Sequence, residues 1–316
     1  MKKVQLVVGK TPLYKLNSKY NNDIYIKRDD MTGLAFGGNK ARKLEFFMGQ
    51  VLENSYDYIV TYGSIHSNHC IMTAAAASIL DIPCLLILAQ LDDASHNHNN
   101  FLHHLFNAEV AWTKKDQVNN TIEYHMKRLR DKGKNPYFIP GGGHGNCGVQ
   151  GYVEAYNEIE EQKKELNISF DYIFLASGTG TTQAGLIIGN HFTGNETEKI
   201  IGISIARNEL RGKEEIFKSI KAYNEEFALT NFIDKKKINF IDDYICGGYG
   251  DFNDGILKVI KEISMKDGII LDPVYTGKAF WGMLKYLGQY DIKKKKILFI
   301  HTGGIPLVFS HSDRFK

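Results

Sequence analysis

Cysteine is scarce in this chain. Only four of its 316 residues are Cys, at positions 70, 84, 147 and 246, and no two of them form a C-x-x-C pair. A set so sparse and scattered argues against a disulfide framework and fits reduced thiols in a cytosol. Proline is few as well, with six residues, and the 30 glycines show no period, which excludes collagen-like and low-complexity classes. An excess of one charge is missing: 39 Lys and Arg against 36 Asp and Glu leave +3, too little to indicate a polyanionic partner. The basic runs Lys235–Lys237 and Lys293–Lys296 are short and read as solvated turns, so no nucleic-acid surface is expected. The longest apolar run, Ile82–Ala89, contains Pro83 and Cys84 and is too short to cross a bilayer. Met1-Lys2-Lys3 leads into only a few mildly apolar residues before Gly9-Lys10, so no secretory leader is expected and the predicted location is cytoplasmic.

Apolar residues are plentiful, at 43%, and aromatics make up 12%, enough for a sizeable core and too much for a disordered chain. The length suggests two lobes or one large α/β unit. Strand-like and helix-like stretches alternate. DIYIK at Asp23–Lys27 reads as a strand. Asn39–Glu53 carries Leu44, Phe47, Met48, Val51 and Leu52 at offsets of 3, 4, 7 and 8, one face of a helix. The alternation continues through strands at Tyr58–Tyr62, Cys84–Leu88, Glu109–Trp112, Tyr137–Ile139, Tyr172–Ala176, Lys199–Ala206 and Ile297–His301. Helices are predicted at Ser67–Leu80, His98–Phe106, Thr121–Lys132, Val149–Leu166, from the loop after Ala176 to about Gly189, Lys213–Glu226, Asp251–Met265 and Gly277–Leu287. Such alternation implies parallel sheets with crossover helices, and ligands then sit where strands run into helices. No internal repeat is visible. The one natural seam is the glycine loop Pro140–Gly148, with weaker ones around residue 230.

Three such loops carry candidate chemistry. Ala176-Ser-Gly-Thr-Gly-Thr-Thr-Gln-Ala-Gly185 combines two close-approach glycines, three Thr hydroxyls and a helix start, which suits a phosphate monoester. It lacks a P-loop lysine, and Gln183 replaces the third Gly of a dinucleotide fingerprint. Read alone, it is equally an ordinary turn with Ser and Thr caps. Gly37-Gly-Asn-Lys-Ala-Arg-Lys-Leu-Glu45 puts Lys40 in the first turn of a helix. There the dipole, Arg42 and Lys43 all push toward a neutral amine able to form a Schiff base, although one lysine on a basic helix start is commonly just solvated. Tyr62-Gly-Ser-Ile-His-Ser-Asn-His69 places Ser67 as an N-cap and the amides of Asn68 and His69 at a carboxylate-sized pocket. His66, His69 and Cys70 match no standard zinc spacing, and the cluster His96, His98, His103 and His104 reads as a polar loop and helix start, so no metal is expected. Further strand-end loops are Gly247-Gly-Tyr-Gly250, Asp272–Lys278 and His301–Gly304, whose tyrosines either pack the turns or act as acid or base.

Taken in order, Thr11-Pro12-Leu13, Lys27-Arg-Asp-Asp30, Gly37–Glu45, Ser67-Asn68, Ser177–Gly185, Asp272–Lys278 and His301–Gly304 make the chain resemble pyridoxal-phosphate enzymes of the tryptophan-synthase β type. Within them it is similar to the group holding 1-aminocyclopropane-1-carboxylate deaminase and D-cysteine desulfhydrase. The resemblance covers nearly the whole chain. It implies an α/β protein of two open, twisted, mainly parallel sheet lobes (fold type II). Residues 47–152 would form the small domain, with 1–46 and 153–316 in the large one, and the protein would be a homodimer. It implies that Lys40 carries pyridoxal 5'-phosphate, that Gly178, Thr179, Gly180, Thr181 and Thr182 cradle the phosphate, and that Asn68 bonds the phenolic oxygen. Ser67, Asn68 and His69 would hold the substrate carboxylate, Tyr249 and Tyr275 would line the substrate side, and Thr276 and Thr302 would flank the cofactor ring.

Those two threonines separate the members. The deaminase has Glu after the Tyr of D-P-V-Y and Leu after the His of H-x-G-G, whereas this chain has Thr276 and Thr302, as desulfhydrases do. A Glu keeps the ring nitrogen protonated and favours the fully delocalised carbanion. A Thr leaves it neutral, which suits loss of a good leaving group such as thiolate. The resemblance thus implies elimination of sulfide from D-cysteine, giving pyruvate and ammonia, with Lys40 removing the α-proton and Tyr275 protonating sulfur. Three departures touch the substrate mouth: Gly141–Asn146, His69 in place of the deaminase's Gln, and Ile71 in place of an Arg. They leave open a lyase for another β-substituted amino acid such as cysteate. Ring-opening deamination, a non-catalytic small-ligand binder and a dinucleotide-dependent oxidoreductase compete with these two. Gln183 argues against the oxidoreductase, and Lys40 against the binder.

Overall fold

A computed structural model of the chain describes residues 1–89, 98–195, 197–229 and 233–315. In chain order the main elements are β1 (Leu13–Lys15), β2 (Asp23–Lys27), α1 (Asn39–Glu53), β3 (Tyr58–Ser64), α2 (Asn68–Ile79), β4 (Cys84–Ala89), α3 (His98–Leu105) and β5 (Glu109–Thr113). These are followed by α4 (Val118–Asp131), β6 (Pro136–Ile139), α5 (Asn146–Leu166), β7 (Tyr172–Ser177), α6 (Thr181–Thr193), β8 (Lys199–Ser204) and α7 (Glu209–Glu226). The chain then runs through β9 (Asn239–Ile241), α8 (Asp254–Asp267), α9 (Thr276–Gln289), β10 (Lys296–Ile300) and α10 (Pro306–Ser310). The strands form two sheets. One has the order β1-β2-β10-β7-β8-β9, parallel except for the β1–β2 pair, and the other is an all-parallel β5-β4-β3-β6. Their central strands are unbroken apolar runs such as IFLA in β7 and LLIL in β4, as strands covered on both faces must be.

Helix α1 lies between the sheets' helical layers, packed on α5 and on α2. It is therefore buried almost all round, over Ala41–Gly49 and at Val51. Leu52, expected on its apolar face, is 43% exposed. Two elements start away from their predicted positions because a side-chain cap fixes them: Asn208 accepts from the amide of Arg211 and opens α7 at Glu209, and Asn253 accepts from the amide of Ile256 and opens α8 at Asp254. The three-residue strands β1 and β9 are too short to show a period, and the sequence reading misses both.

A buried polar cluster fixes the start of α1. Arg42 grips both oxygens of Asp29 (2.9 and 3.1 Å) and both of Glu158 (2.9 Å each). Tyr152 donates to Asp29 at 2.6 Å, and Lys27 donates to Glu158, to Thr11 O (2.7 Å) and to Gln162 (2.6 Å). The Lys27-Arg-Asp-Asp30 motif thus serves as an anchor: it holds Arg42, and with it the helical turn that carries Lys40.

Candidate active site

A cavity of about 340 Å³ opens where the carboxyl ends of β3, β7, β8 and β10 face one another between the two sheets. It is the place that open parallel sheets favour for a ligand. Its lining includes Asn39, Lys40, Ser67, Asn68, His69, Ser177, Gly178, Thr179, Gly180, Thr182, Arg207, Tyr249, Tyr275 and Thr302. Most residues singled out from the sequence therefore meet there. Two do not line it, Thr181 and Thr276.

Lys40 is delivered by a tight turn. Gly37 and Gly38 have positive φ, and a Cβ at Gly37 would overlap Asp30 O at 1.7 Å, so only glycine fits. The Gly38 amide bonds Asp29 O (2.8 Å) and the Thr32 hydroxyl (3.0 Å), and the Asn39 amide bonds Thr302 O (3.0 Å). Asn39 also donates to the Thr182 hydroxyl at 3.0 Å, tying this turn to the Gly/Thr loop. Lys40 makes no hydrogen bond or ion pair among the described residues. Enclosure strips water from its amine and brings its pKa from 10.5 down to about 8.

The loop Ser177–Thr182 follows β7 and opens α6, with Gly180 in the left-handed region at the helix cap. None of the backbone amides from Gly178 to Thr182 has a partner among the described residues, and the Ser177 hydroxyl is buried without one. The Thr181 side chain turns away and pairs with His144 at 3.0 Å, leaving only its backbone for a ligand. Two basic side chains lie near this cradle. Lys43 is 1% exposed, and among the described residues its amine contacts only Gly142 O, at 3.3 Å. Burial and the neighbouring Lys40 hold its pKa well below the ordinary lysine value. Arg207 lines the cavity with Nη1 buried and unpaired. The sequence reading misses both as site residues. Lys43 was legible as a second lysine one helical turn beyond Lys40, whereas Arg207 carried no motif signal. Among the described residues no carboxylate lines the cavity, so an anion bound there meets no like charge and would draw protons onto these amines.

On the other wall, Ser67 caps α2 by accepting from the Cys70 amide at 3.2 Å, and the amides of Asn68 and His69 have no partner among the described residues. His69 is 2% exposed. Its Nε2 lies 2.9 Å from the Thr61 hydroxyl, which donates onward to Ile139 O at 2.7 Å, so Nε2 carries the hydrogen and Nδ1 is a bare acceptor. Burial, then Lys40 and Lys43, keep the ring neutral. The hydroxyls of Tyr249 and Tyr275 meet at 2.5 Å, and Ser64 lies 3.3 Å from Tyr249. Burial first, and for Tyr275 also its neighbour Tyr249, pushes both phenols up, so each keeps its proton at neutral pH. Thr276 is a correction. Its side chain is directed onto Asp272 (2.7 Å), which also accepts from the amides of Val274, Tyr275 and Thr276. The hydroxyl is therefore spent on shaping the Tyr275 turn. Burial, against these hydrogen bonds, raises Asp272 to about 6. Of the candidate histidine cluster, His96 lies outside the described residues and His103 is buried away from the cavity.

The chain matches the family model described as pyridoxal-phosphate dependent enzyme over residues 4–303. The chain belongs to that family. A Pyrococcus furiosus protein with the provisional name 1-aminocyclopropane-1-carboxylate deaminase is 37% identical over 318 residues, covering 99% of this chain and 94% of its own length. A D-cysteine desulfhydrase of Salmonella newport is 36% identical over 322 residues, covering 98% and 96%. A crystal structure described as an ACC deaminase homologue superposes with a TM-score of 0.90 at 35% identity, covering 99% of this chain and 95% of that one. Pyridoxal phosphate fits what the cavity offers. Free amides and an orphaned hydroxyl come from the Gly/Thr loop, Arg207 offers a buried Nη1 without a partner, and the Lys40 amine, its pKa lowered to about 8, is within the same walls.

Proposed function

We propose that this pyridoxal-phosphate enzyme eliminates the β-substituent of a small amino acid, with D-cysteine as the substrate and pyruvate, sulfide and ammonia as products. The observation that carries this reading is the wall of the cavity: among the described residues it contains Thr302 and no carboxylate. With no acid there to protonate it, a pyridine nitrogen held against this wall would stay neutral, which would favour expulsion of a good leaving group over ring opening.

In this reading Lys40 bonds the cofactor. Lys43, Ser177 and the Gly178–Thr182 backbone would hold its phosphate, Asn68 its phenolic oxygen, and Thr302 would stand on its ring side. When bound, the cofactor supplies the electron sink that acidifies the substrate α-carbon. Ser67 and the free amides of Asn68 and His69 receive the substrate carboxylate at the start of α2. The low pKa of Lys40 lets its amine take the α-proton near neutral pH. As the Cβ–S bond breaks, Tyr275 gives its proton to sulfur and is reprotonated through Tyr249. The enamine released, 2-aminoacrylate, takes up water to give pyruvate and ammonia.

A cytoplasmic homodimer, with residues 47–152 as the small lobe, completes the proposal. A second reading rests on Arg207: its Nη1, buried without a partner at the cavity, suits a β-sulfonate such as that of cysteate. The test is the visible spectrum of the holoenzyme with D-cysteine, L-cysteine and each cysteate enantiomer, together with sulfide, sulfite and pyruvate assays. Sulfide and pyruvate from D-cysteine support the main reading. Sulfite from cysteate with D-cysteine inert replaces it with the second, and a band that responds to none of them refutes both.

A further inference from the structure

Lys278 is fully buried in the first turn of α9, where the helix dipole disfavours a cation. No carboxylate pairs with it among the described residues. Its ammonium is instead held by three backbone carbonyls: Gly248 O at 2.9 Å, Ile245 O at 3.0 Å and Ile205 O at 3.2 Å. Those contacts use all three of its donors. An apolar side chain would fill this place without the cost of burying a charge, so what needs explaining is what the charge holds.

The three carbonyls belong to two different loops, and both line the cavity. Gly248 immediately precedes Tyr249. Ile205 lines the cavity itself, precedes Ala206 and Arg207, and lies against Gly178, where an added Cβ would meet its side chain at 3.1 Å. Tyr275 sits three residues before Lys278 on the same helix start and is fixed by Asp272. The two hydroxyls that meet at 2.5 Å therefore come from one turn fixed by Asp272 and from one loop outside any helix or strand. Two of the three Lys278 contacts, at Ile245 and Gly248, are on that loop. No cavity-lining side chain is touched by its amine, so its effect is indirect.

We infer that Lys278 is a positioning residue: its ammonium clamps the 245–249 loop and the 205–207 turn to α9, and so sets Tyr249 against Tyr275 and directs Arg207 toward the cavity. The inference rests on the proposed role of the tyrosine pair, yet it is testable apart from that role.

The experiment compares holoenzymes of the wild type, Lys278→Met and Lys278→Gln. Met keeps the stem and removes every donor, while Gln keeps two. Amide exchange followed by mass spectrometry is expected to quicken in peptides covering 245–251 and 205–208 of Lys278→Met, with protection of the β3, β4 and β7 segments unchanged. The visible band of the bound cofactor should be retained. With D-cysteine, kcat should fall about 10- to 100-fold, the cost of a misplacement near 1 Å. KM should change less than threefold, and Gln should fall between Lys and Met. Unchanged exchange in both peptides, or exchange that quickens equally across the chain, would overturn the inference, and so would kcat and KM falling together. Should Lys278→Met not fold, the same comparison with Lys278→Gln decides. A wild type inert toward D-cysteine would sink the function reading alone, and the exchange comparison would still judge Lys278.

Discussion

Replacing Lys40 by Met should stabilise the protein that it inactivates. Lowering a lysine from 10.5 to about 8 corresponds to about 3.4 kcal/mol of unfavourable charge burial. Lys40 is only partly buried as a residue, so solvent screening reduces this figure, and a gain of about 1–3 kcal/mol is expected for the uncharged variant. Met retains the unbranched stem, which keeps the packing contribution small. The sign follows from linkage. Between about pH 8 and 10.5 the unfolded chain binds more protons than the folded one, so wild-type stability rises with pH across that window, and the full cost applies below it. Asp272 titrates in both proteins and cancels in the difference, while Lys43 and His69, which the Lys40 charge also disfavours, add to the lead in the same direction. Urea unfolding of both proteins, stripped of cofactor, would be followed by far-ultraviolet circular dichroism at pH 7, 8, 9 and 10. The variant should lead at pH 7, and its lead should shrink above pH 8. A variant no more stable than wild type at pH 7, or a lead independent of pH, would refute the argument that the site holds Lys40 against its own charge.

The same variant should show no covalent cofactor band and no elimination above background, checked by absorbance and a pyruvate assay. Tyr275→Phe should lower kcat by about 10²–10⁴-fold, the usual worth of a positioned proton donor, while leaving the cofactor's binding constant unchanged by fluorescence titration. Asp29→Asn should cost about 3–5 kcal/mol, because it leaves the Arg42 charge buried with a broken partner set; a thermal unfolding midpoint within 2 °C of wild type would contradict this. Gly37→Ala should give protein unable to retain the cofactor, since its Cβ collides with backbone at Asp30.

Much of this was legible along the chain because parallel sheets put chemistry at strand ends, and strand ends are where glycine, Ser and Thr break the apolar pattern. Lys40, Ser67 and the Ser177–Thr182 loop announced themselves in that way. What stayed hidden depends on direction rather than position. Thr276 and Tyr275 are neighbours in one motif, yet the first turns onto Asp272 and the second into the cavity, and no spacing rule separates them. Lys43 is one of a string of basic residues on a helix start, and only the packing of α1 between two layers reveals that it is buried. Arg207 follows a strand with no glycine to mark it.

The strand order carries a consequence for the birth of the molecule. β10 lies between β2 and β7, so residues 296–300 must arrive before residues 23–27 find a neighbour other than β1. The four-stranded sheet, spanning residues 58–139, needs nothing from later in the chain and can assemble while synthesis continues. The six-stranded sheet waits for its penultimate pairing across more than 250 residues of chain, a slow, high-contact-order closure. Thr302, whose carbonyl locks the turn of Lys40, emerges directly after that strand. The nascent chain therefore cannot complete the lysine's setting until residue 302 has been made, which delays reactive-amine chemistry until the surrounding walls are standing.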